Sequence, residues 1–125
     1  MQTVSSPNAP KAIGPYSQAI RTGNLIYCSG QTPINPVTMK IEVSDVSQQT
    51  QRVIKNLEIV LGAAGLTLSH VIKTNVYLAD MNLFEQMNAA YASLFGDHRP
   101  ARTTIAVKGL PLNALVEIEC IAEFN

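Results

Sequence analysis

Residues 44–78 read SDVSQQTQRVIKNLEIVLGAAGLTLSHVIKTNVYL, a stretch in which a helical pattern changes directly into a strand pattern. In its first part apolar residues recur at steps of three and four, the period of one face of an α-helix: Val46, Val53, Leu57, Val60, Leu61 and Ala64. Ser44 or Asp45 is suited to cap this helix, and Gly65 to end it. Val71–Leu78 alternates between two sets of side chains, as a β-strand does. The stretch therefore predicts a long helix followed by a strand.

The chain before this helix is predicted to contain two short strands. Ser17–Arg21 and Leu25–Ser29 are separated by Thr22-Gly-Asn24, whose glycine and asparagine suit a tight turn. Residues 1–15 contain three prolines and are expected to be irregular or extended, because proline bars early ladder formation. Gln31–Met39 contains two more prolines and is expected to be a loop.

The chain after the central strand is predicted to form a second helix and two further strands. This helix is expected to begin at Asn82, with Glu85 as a reciprocal capping partner, and to end at Gly96. Its apolar face consists of Leu83, Phe84, Met87, Tyr91, Leu94 and Phe95. Thr103–Lys108 and Val116–Phe124 are the last predicted strands.

The predicted order of elements is ββ, α, β, α, ββ, which indicates an α+β fold. We expect a single domain over residues 1–125, with a sheet of about six strands and both helices on one face of it. The opposite face of the sheet then has no cover within one chain. This bare face predicts self-association.

The composition supports the same expectation. The 125 residues include 9 Lys+Arg and 9 Asp+Glu, so that charged residues make up 14% of the chain, against roughly 25% in an ordinary soluble domain. The low charge excludes a disordered tail protein, and the zero net charge argues against a dedicated nucleic-acid binder. A chain with so few charges is expected to cover part of its surface with further copies of itself.

No signal for export or membrane insertion is visible, and we expect a cytoplasmic protein. The longest apolar run, Ile59–Leu66, is much shorter than the roughly 20 residues that span a bilayer. Cys28 and Cys120 both lie in apolar runs and are interpreted as reduced, buried thiols. A disulfide or a redox pair between them is the alternative.

The common catalytic and metal-binding motifs are absent from the sequence. No Cys-x-x-Cys, His-x-x-x-His, G-x-S-x-G, P-loop or G-x-G-x-x-G occurs. His70 and His98 have no second ligand at metal spacing, so we interpret both as surface or capping residues and predict no metal site.

Arg102 is the most unusual charge in the chain. It follows Pro100-Ala101 and leads into the uncharged segment Thr103–Val107. An arginine at the mouth of a strand can bind a planar carboxylate through two parallel N–H···O hydrogen bonds. The alternative is a surface salt bridge, which is common.

Glu117 is the second candidate for chemistry. The alternation in Val116–Cys120 places Glu117 and Glu119 on one face of a strand. A solvated sheet face is the ordinary explanation for such a pattern. If another subunit covers this face, one carboxylate is desolvated and its pKa rises towards the range suited to proton transfer near neutrality.

Two glycine-containing segments are further candidates for a binding site. Gly14–Ala19 is rigid and presents the phenol of Tyr16, although it could serve only as a turn with an aromatic anchor. Cys28–Gln31 places the hydroxyl of Ser29 beside Gly30 at the end of a strand. This segment could expose backbone N–H groups to a ligand, or it could be a β-bulge.

Five motifs together resemble those of the YjgF/RidA family, also called the L-PSP family, of reactive enamine/imine deaminases. They are Gly14-Pro-Tyr-Ser-Gln-Ala19, Ser29-Gly-Gln31, Asn88-x-x-Tyr91-x-x-x-Phe95, Pro100-Ala-Arg-Thr103 and Val116-Glu-Ile-Glu119. The resemblance covers essentially the whole chain. It implies a chorismate-mutase-like α+β domain and a homotrimer around a central β-barrel, which would cover the bare sheet face.

The resemblance also implies active sites in the clefts between subunits. Arg102 would hold the carboxylate of a 2-imino or 2-enamino acid, and Glu117 would position the attacking water. The residues implied to bind or line the substrate pocket are Tyr16, Ser29, Gly30, Phe84, Asn88 and Thr104. Many members have cysteine where this chain has Thr104, a position that the family uses largely through its backbone.

The implied activity is that of a 2-iminobutanoate/2-iminopropanoate deaminase. Substrates of the 2-aminoacrylate type would be hydrolysed to 2-keto acids and ammonia without a cofactor. One alternative is a non-catalytic module that binds a small 2-keto acid and acts through partners. Another is the family's older description as an endoribonuclease that inhibits translation, which the balanced charge does not favour.

Overall fold

The computed structural model describes all 125 residues, which form two α-helices and eight β-strands. The helices are α1 (Val46–Ala63) and α2 (Phe84–Phe95). The strands are β1 (Gln2–Val4), β2 (Ala19–Thr22), β3 (Leu25–Gln31), β4 (Ile34–Asn35), β5 (Lys40–Ile41), β6 (Val71–Leu78), β7 (Ala101–Ala106) and β8 (Val116–Glu123). Single 3-10 turns occur at Leu68–His70, Met81–Leu83 and Pro111–Asn113.

Six strands form one mixed sheet in the order β1-β2-β3-β8-β6-β7. All neighbours are antiparallel except β6 and β7, which are parallel and are connected through α2. A parallel pair needs such a crossover, because a tight turn can join only antiparallel strands. The remaining strands, β4 and β5, form a separate small hairpin. The predicted α+β class with a six-stranded mixed sheet is confirmed.

The side chains of strand β8 alternate between a buried face and a partly exposed face of the sheet. Val116, Ile118, Cys120 and Ala122 are 3% exposed or less, while Glu117, Glu119 and Ile121 on the other face are only partly buried. Helix α1 packs against β8 and β3, and α2 packs against α1. Both helices therefore lie on the buried face, as predicted.

Helix α1 matches its predicted pattern closely. The predicted stripe is buried in the core cluster except for Ala64, which is partly buried and packs against that cluster. Asp45 is the capping residue, since its Oδ1 accepts a hydrogen bond from the Gln48 N–H at 2.8 Å. The helix ends at Ala63, and Gly65 follows with a φ of 78°, a left-handed conformation that glycine adopts easily.

The start of α2 differs from the prediction. Asp80 Oδ1 accepts a hydrogen bond from the Asn82 N–H at 2.8 Å and begins a 3-10 turn, and the α-helix itself starts at Phe84. The predicted capping pair of Asn82 and Glu85 is wrong, because a carboxylate two residues earlier already binds the amide of Asn82.

Two segments predicted to be irregular contain short strands. Gln2–Val4 pairs with β2, and the prolines that argued against a ladder lie after this pairing ends. The predicted loop Gln31–Met39 contains β4, which pairs with β5 just beyond it. Both strands are too short to show an alternating pattern in the sequence.

The two cysteines and the two histidines each contact neighbouring groups of the fold. Cys28 and Cys120 face each other across β3 and β8 as free, buried thiols, as predicted. His70 Nδ1 accepts a hydrogen bond from the Thr67 N–H at 3.1 Å, and His98 Nε2 lies 2.6 Å from the carbonyl oxygen of Val71. None of the helices combines membrane-spanning length with sufficient apolar character.

Buried side-chain amides attach the irregular segments to this core. Gln18 holds the N-terminal segment, since it accepts a hydrogen bond from the Ser6 N–H and donates to the carbonyl oxygens of Ser6 and Pro10. Asn56 on α1 is 0% exposed and donates to the carbonyl oxygens of Thr32 at 3.2 Å and Ile34 at 2.9 Å. These contacts keep the chain after β3 close to the helix.

Replacing Asn56 with alanine should destabilise the fold by about 1–3 kcal/mol, because the change removes both hydrogen bonds from the buried amide to the carbonyls of Thr32 and Ile34. The free energy of unfolding, measured by chemical denaturation, checks this expectation. Asn24→Ala is a matched control, since the exposed Asn24 side chain contacts only the Glu123 carboxylate. Similar losses in the two variants would contradict the role assigned to Asn56.

Candidate active site

A cavity of about 550 Å³ opens on the face of the sheet away from the helices. Its lining consists of Ile13, Tyr16, Ser29, Gly30, Thr32, Ile34, Pro111, Leu112, Glu117 and Glu119. We call it the Glu117 cavity. Four of the residues expected at the site, Tyr16, Ser29, Gly30 and Glu117, line it together.

Gly30 lies directly against the Glu117 side chain. The pairing of β3 with β8 shifts register between Cys28 and Gln31, so that Gly30 lies in an irregular, bulged part of the ladder. A Cβ atom on Gly30 would lie 2.2 Å from Glu117 Oε2, closer than real Cβ atoms come to any neighbour. The glycine therefore allows the Glu117 carboxylate to lie against the backbone of β3.

Glu117 is a partly desolvated carboxylate. Burial raises its pKa above the ordinary value, and the negative charge of Glu119 raises the pKa further. Both effects oppose ionisation, since each makes the charged form less favourable. Such a group takes up and releases a proton closer to neutrality than a solvated carboxylate does.

Tyr16 and Ser29 present different hydrogen-bonding groups to the same cavity. Ser29 Oγ donates to the carbonyl oxygen of Ser17 at 2.6 Å, so its proton is already used. Tyr16 Oη accepts a hydrogen bond from the Ile13 N–H at 3.1 Å. The phenol proton of Tyr16 is therefore available to a ligand, whereas Ser29 offers an acceptor.

A second cavity of about 410 Å³ lies beside α2. It is lined by Asn88, Tyr91, Ala92, Arg99, Pro100 and Arg102, and we call it the Arg102 cavity. Asn88 and Arg102 were expected from the sequence. Arg99 was not expected, although it lies only three residues before Arg102 in the sequence. That spacing could have indicated a second basic residue at the same site. The Arg99 guanidinium donates to the carbonyl oxygens of Gly96 and His98.

Arg102 is held by aromatic rings and has no carboxylate partner in its own chain. Its guanidinium carbon lies 4.8 Å from the ring centroid of Tyr91 and 5.7 Å from that of Phe84. Tyr91 is itself fixed, because its hydroxyl and that of Thr74 form a hydrogen bond of 2.8 Å. Stacking orients the guanidinium while its N–H groups stay free to bind a planar anion.

Thr104 lies on β7 two residues after Arg102 and lines neither cavity. Its Oγ1 is the only buried side-chain nitrogen or oxygen atom in the protein that lacks a hydrogen-bond partner. Phe84 takes part in the site through its contact with Arg102.

Nowhere do three or more His, Cys, Asp or Glu side chains cluster closely enough to hold a metal ion.

The two cavities lie on opposite sides of the sheet. Arg102 pairs with Thr74, which is 0% exposed on the helix-facing side. Glu117 pairs with Tyr77 on the other side. Paired residues share a face, so the Arg102 and Glu117 side chains point away from each other across the sheet. One chain thus carries two separate half-sites.

The fold and the half-sites define a class of protein. It is an α+β domain with a two-faced mixed sheet, which offers a free guanidinium on one face and a desolvated carboxylate on the other. The guanidinium is suited to a small anionic ligand, and the carboxylate to proton transfer.

Comparison with known proteins identifies the family. The family model described as Endoribonuclease L-PSP matches residues 6–124. A RutC family protein of Pyrococcus horikoshii is 49% identical over 121 residues, which cover 97% of this chain and 96% of that protein. The chloroplastic Reactive Intermediate Deaminase A of Arabidopsis thaliana is 46% identical over 121 residues, covering 97% of this chain and 65% of that protein. The crystal structure of the Escherichia coli YjgF gene product superimposes with a TM-score of 0.95 at 39% identity, covering 100% of both chains.

The chain therefore belongs to the L-PSP family, which includes YjgF and Reactive Intermediate Deaminase A. The resemblance inferred from the five motifs is confirmed.

The position of Glu117 leads to a prediction about stability. A raised carboxyl pKa means that the folded state binds the proton more tightly than the unfolded state, so stability decreases as pH rises through that range. Glu117→Gln should therefore raise the melting temperature at neutral pH. This gain should disappear below about pH 4, where an ordinary carboxyl group is protonated in both states.

Thermal melts at a fixed protein concentration over a range of pH values test this prediction. Glu123→Gln is the control, because Glu123 is an exposed glutamate at the end of the same strand. A lower melting temperature for Glu117→Gln at neutral pH would show that the carboxylate stabilises the fold.

Proposed function

We propose that this protein is a hydrolytic deaminase of reactive 2-imino and 2-enamino acids of the 2-aminoacrylate type. We further propose that it works as a homotrimer, in which the Glu117 cavity of one copy meets the Arg102 cavity of the next. The separation of the two half-sites within one chain supports this arrangement, because a single small molecule must contact both. The name of the Arabidopsis relative supports the reaction class.

Substrate binding would begin at Arg102. Its planar guanidinium can donate two parallel hydrogen bonds to the carboxylate of a 2-imino acid. The Tyr91 and Phe84 rings hold the guanidinium in place, so little side-chain freedom is lost on binding. Asn88, in the same cavity, offers an amide to the bound anion.

Hydrolysis would then occur at the imine carbon. A water molecule attacks this carbon while Glu117 accepts one of the water protons, which gives a carbinolamine. Protonated Glu117 returns the proton to nitrogen. The C–N bond then breaks as the C=O bond forms, and the hydroxyl proton passes to Glu117, which releases it to solvent. A 2-keto acid and ammonia leave. The carbon of an iminium ion is already electrophilic, so orientation and a proton acceptor are enough and no cofactor is required.

The observation that carries this proposal is the environment of Glu117. A module that only binds a small 2-keto acid would need the Arg102 half-site and would gain nothing from a desolvated carboxylate. Maintaining such a carboxylate costs stability, and natural proteins accept that cost mainly at functional sites.

The open face of the sheet offers a surface for the proposed trimer. Tyr27 and Ile105 are 45% and 46% exposed on this face, and Ile121 lies between their strands. Apolar side chains on a sheet face without helices are suited to packing against another copy. A copy packed on this face would lie beside the Glu117 cavity, which opens on the same face.

The family model's description as an endoribonuclease names a different reaction. RNA binding depends mainly on basic residues that neutralise phosphates. This chain has 9 basic and 9 acidic residues, and Glu117 and Glu119 both line the larger cavity of the candidate site. These charges favour a small ligand with a single carboxylate over a polyanion.

Arg102→Ala should reduce kcat/KM for imine hydrolysis by at least about 100-fold, since it removes two charge-assisted hydrogen bonds. The assay couples a dehydratase that releases 2-aminoacrylate to this protein and measures pyruvate formation above the spontaneous rate. Arg21→Ala is the matched control, because Arg21 also stacks on an aromatic ring, that of Phe124, away from both cavities.

Size-exclusion chromatography should show the same assembly for both arginine variants and the wild type. Full activity in Arg102→Ala would refute the deaminase assignment. Binding of 2-keto acids without any acceleration by the wild type would instead support the non-catalytic module.

A mixing experiment tests whether the site is shared between copies. Arg102→Ala and Glu117→Gln should each be inactive alone. After joint unfolding and refolding of a 1:1 mixture, about one quarter of the sites should contain both intact residues. Activity should recover to about that fraction of the wild-type value.

Refolding each variant separately and mixing afterwards is the control, and it should show no recovery before subunits exchange. If co-refolding also restores nothing, Arg102 and Glu117 do not form a site across an interface between copies.

A further inference from the structure

Tyr77 and Glu119 form a hydrogen-bonded pair beside the proposed catalytic carboxylate. The Tyr77 hydroxyl donates to Glu119 Oε1 at 2.6 Å. Glu119 lies two residues from Glu117 on the same face of β8, and both line the Glu117 cavity. Tyr77 is opposite Glu117 in the register of β6 with β8. The three side chains therefore form one cluster.

The phenol is the proton donor of this pair. The hydrogen bond to Glu119 is the main reason that the pKa of Tyr77 is raised to about 12, with burial as a smaller cause. Tyr77 therefore stays protonated at every pH at which the protein would work. Its hydroxyl donates to the Glu119 carboxylate and fixes that side chain in place.

Few other ionisable groups face Glu117 in its own chain. On β6 it faces Tyr77, and Lys73 on the same strand donates instead to Thr103 Oγ1 at 3.1 Å. The β3 residues of the cavity, Ser29 and Gly30, carry no ionisable side chain, and the turn at Pro111–Asn113 contributes only Pro111 and Leu112. The N-terminal segment contributes the phenol of Tyr16. In the proposed trimer, Arg102 of the next copy would complete this set.

We propose that Tyr77 and Glu119 are positioning residues that together set the proton affinity of Glu117 during deamination. This inference rests on the proposed function, in which Glu117 accepts and returns the proton. Glu119 places a fixed negative charge beside Glu117, and Tyr77 holds that charge in position. Neither residue needs to touch the reacting atoms.

Loss of either residue should act on Glu117 in the same direction. The charge of Glu119 makes Glu117 hold its proton to a higher pH. Tyr77 keeps that carboxylate in place beside Glu117, so the charge acts less strongly on Glu117 once the hydroxyl is removed. Glu119→Gln should therefore lower the pH at which Glu117 loses its proton, and Tyr77→Phe should lower it by less.

The acidic limb of kcat/KM against pH tests this inference with 2-aminoacrylate as substrate. The limb should move down by about half a pH unit or more in Glu119→Gln and by a smaller amount in Tyr77→Phe. The double variant should match Glu119→Gln alone, because Tyr77 acts only through Glu119. Glu123→Gln, an exposed glutamate on the same strand, should leave the limb in place.

A second measurement needs no activity. In protein labelled with ¹³C at the glutamate side-chain carboxyls, NMR titration without substrate follows Glu117 directly. The pKa of Glu117 should fall in both variants, and by less in Tyr77→Phe than in Glu119→Gln. If the wild type turns over no imine, the proposed function fails, and this titration still decides whether the three side chains are coupled.

A purely structural role predicts a different result. The variants would then lose stability or lower kcat at all pH values without moving the limb. Unchanged limbs, limbs that move up, or additive shifts in the double variant would each overturn the inference.

Discussion

The structure depends on the two different faces of strand β8. Its buried face, with Ile118 and Cys120, completes the core beneath the helices, and its other face carries Glu117 and Glu119. The pleat forces neighbouring residues to opposite sides, so a shift of one residue would bury both carboxylates and expose the core. Burial of the apolar set therefore determines the register of β8 and, with it, the position of the acidic pair.

The same constraint separates the two halves of the candidate site. Arg102 is on the edge strand β7, in register with a residue of the helix-facing side, and lies over the rings of α2. Glu117 is on the central strand and faces away from the helices. A fold with helices on one face only thus leaves Glu117 beside a surface that another copy can cover. In the proposed function, assembly and catalysis depend on the same sheet face.

Most of the fold was predictable because long elements repeat their pattern many times. The stripe of α1 and the alternation of β6 and β8 contain enough residues for burial to decide the structure. The errors occurred where one or two contacts determine the local structure. Asp80 begins the turn that replaces the predicted cap at Asn82, and Gln2–Val4 is a strand only because β2 supplies its partner.

The sequence alone determined the fold class, the family and most of the candidate residues, because hydrophobic periodicity and motif spacing are local properties of the chain. Only the tertiary structure showed that Arg102 and Glu117 face opposite sides of the sheet, and that Gly30 lies directly against the Glu117 carboxylate. It also revealed the bond between Tyr77 and Glu119, which are 42 residues apart in the chain. These facts depend on register between distant strands, and register follows from the packing of the whole core.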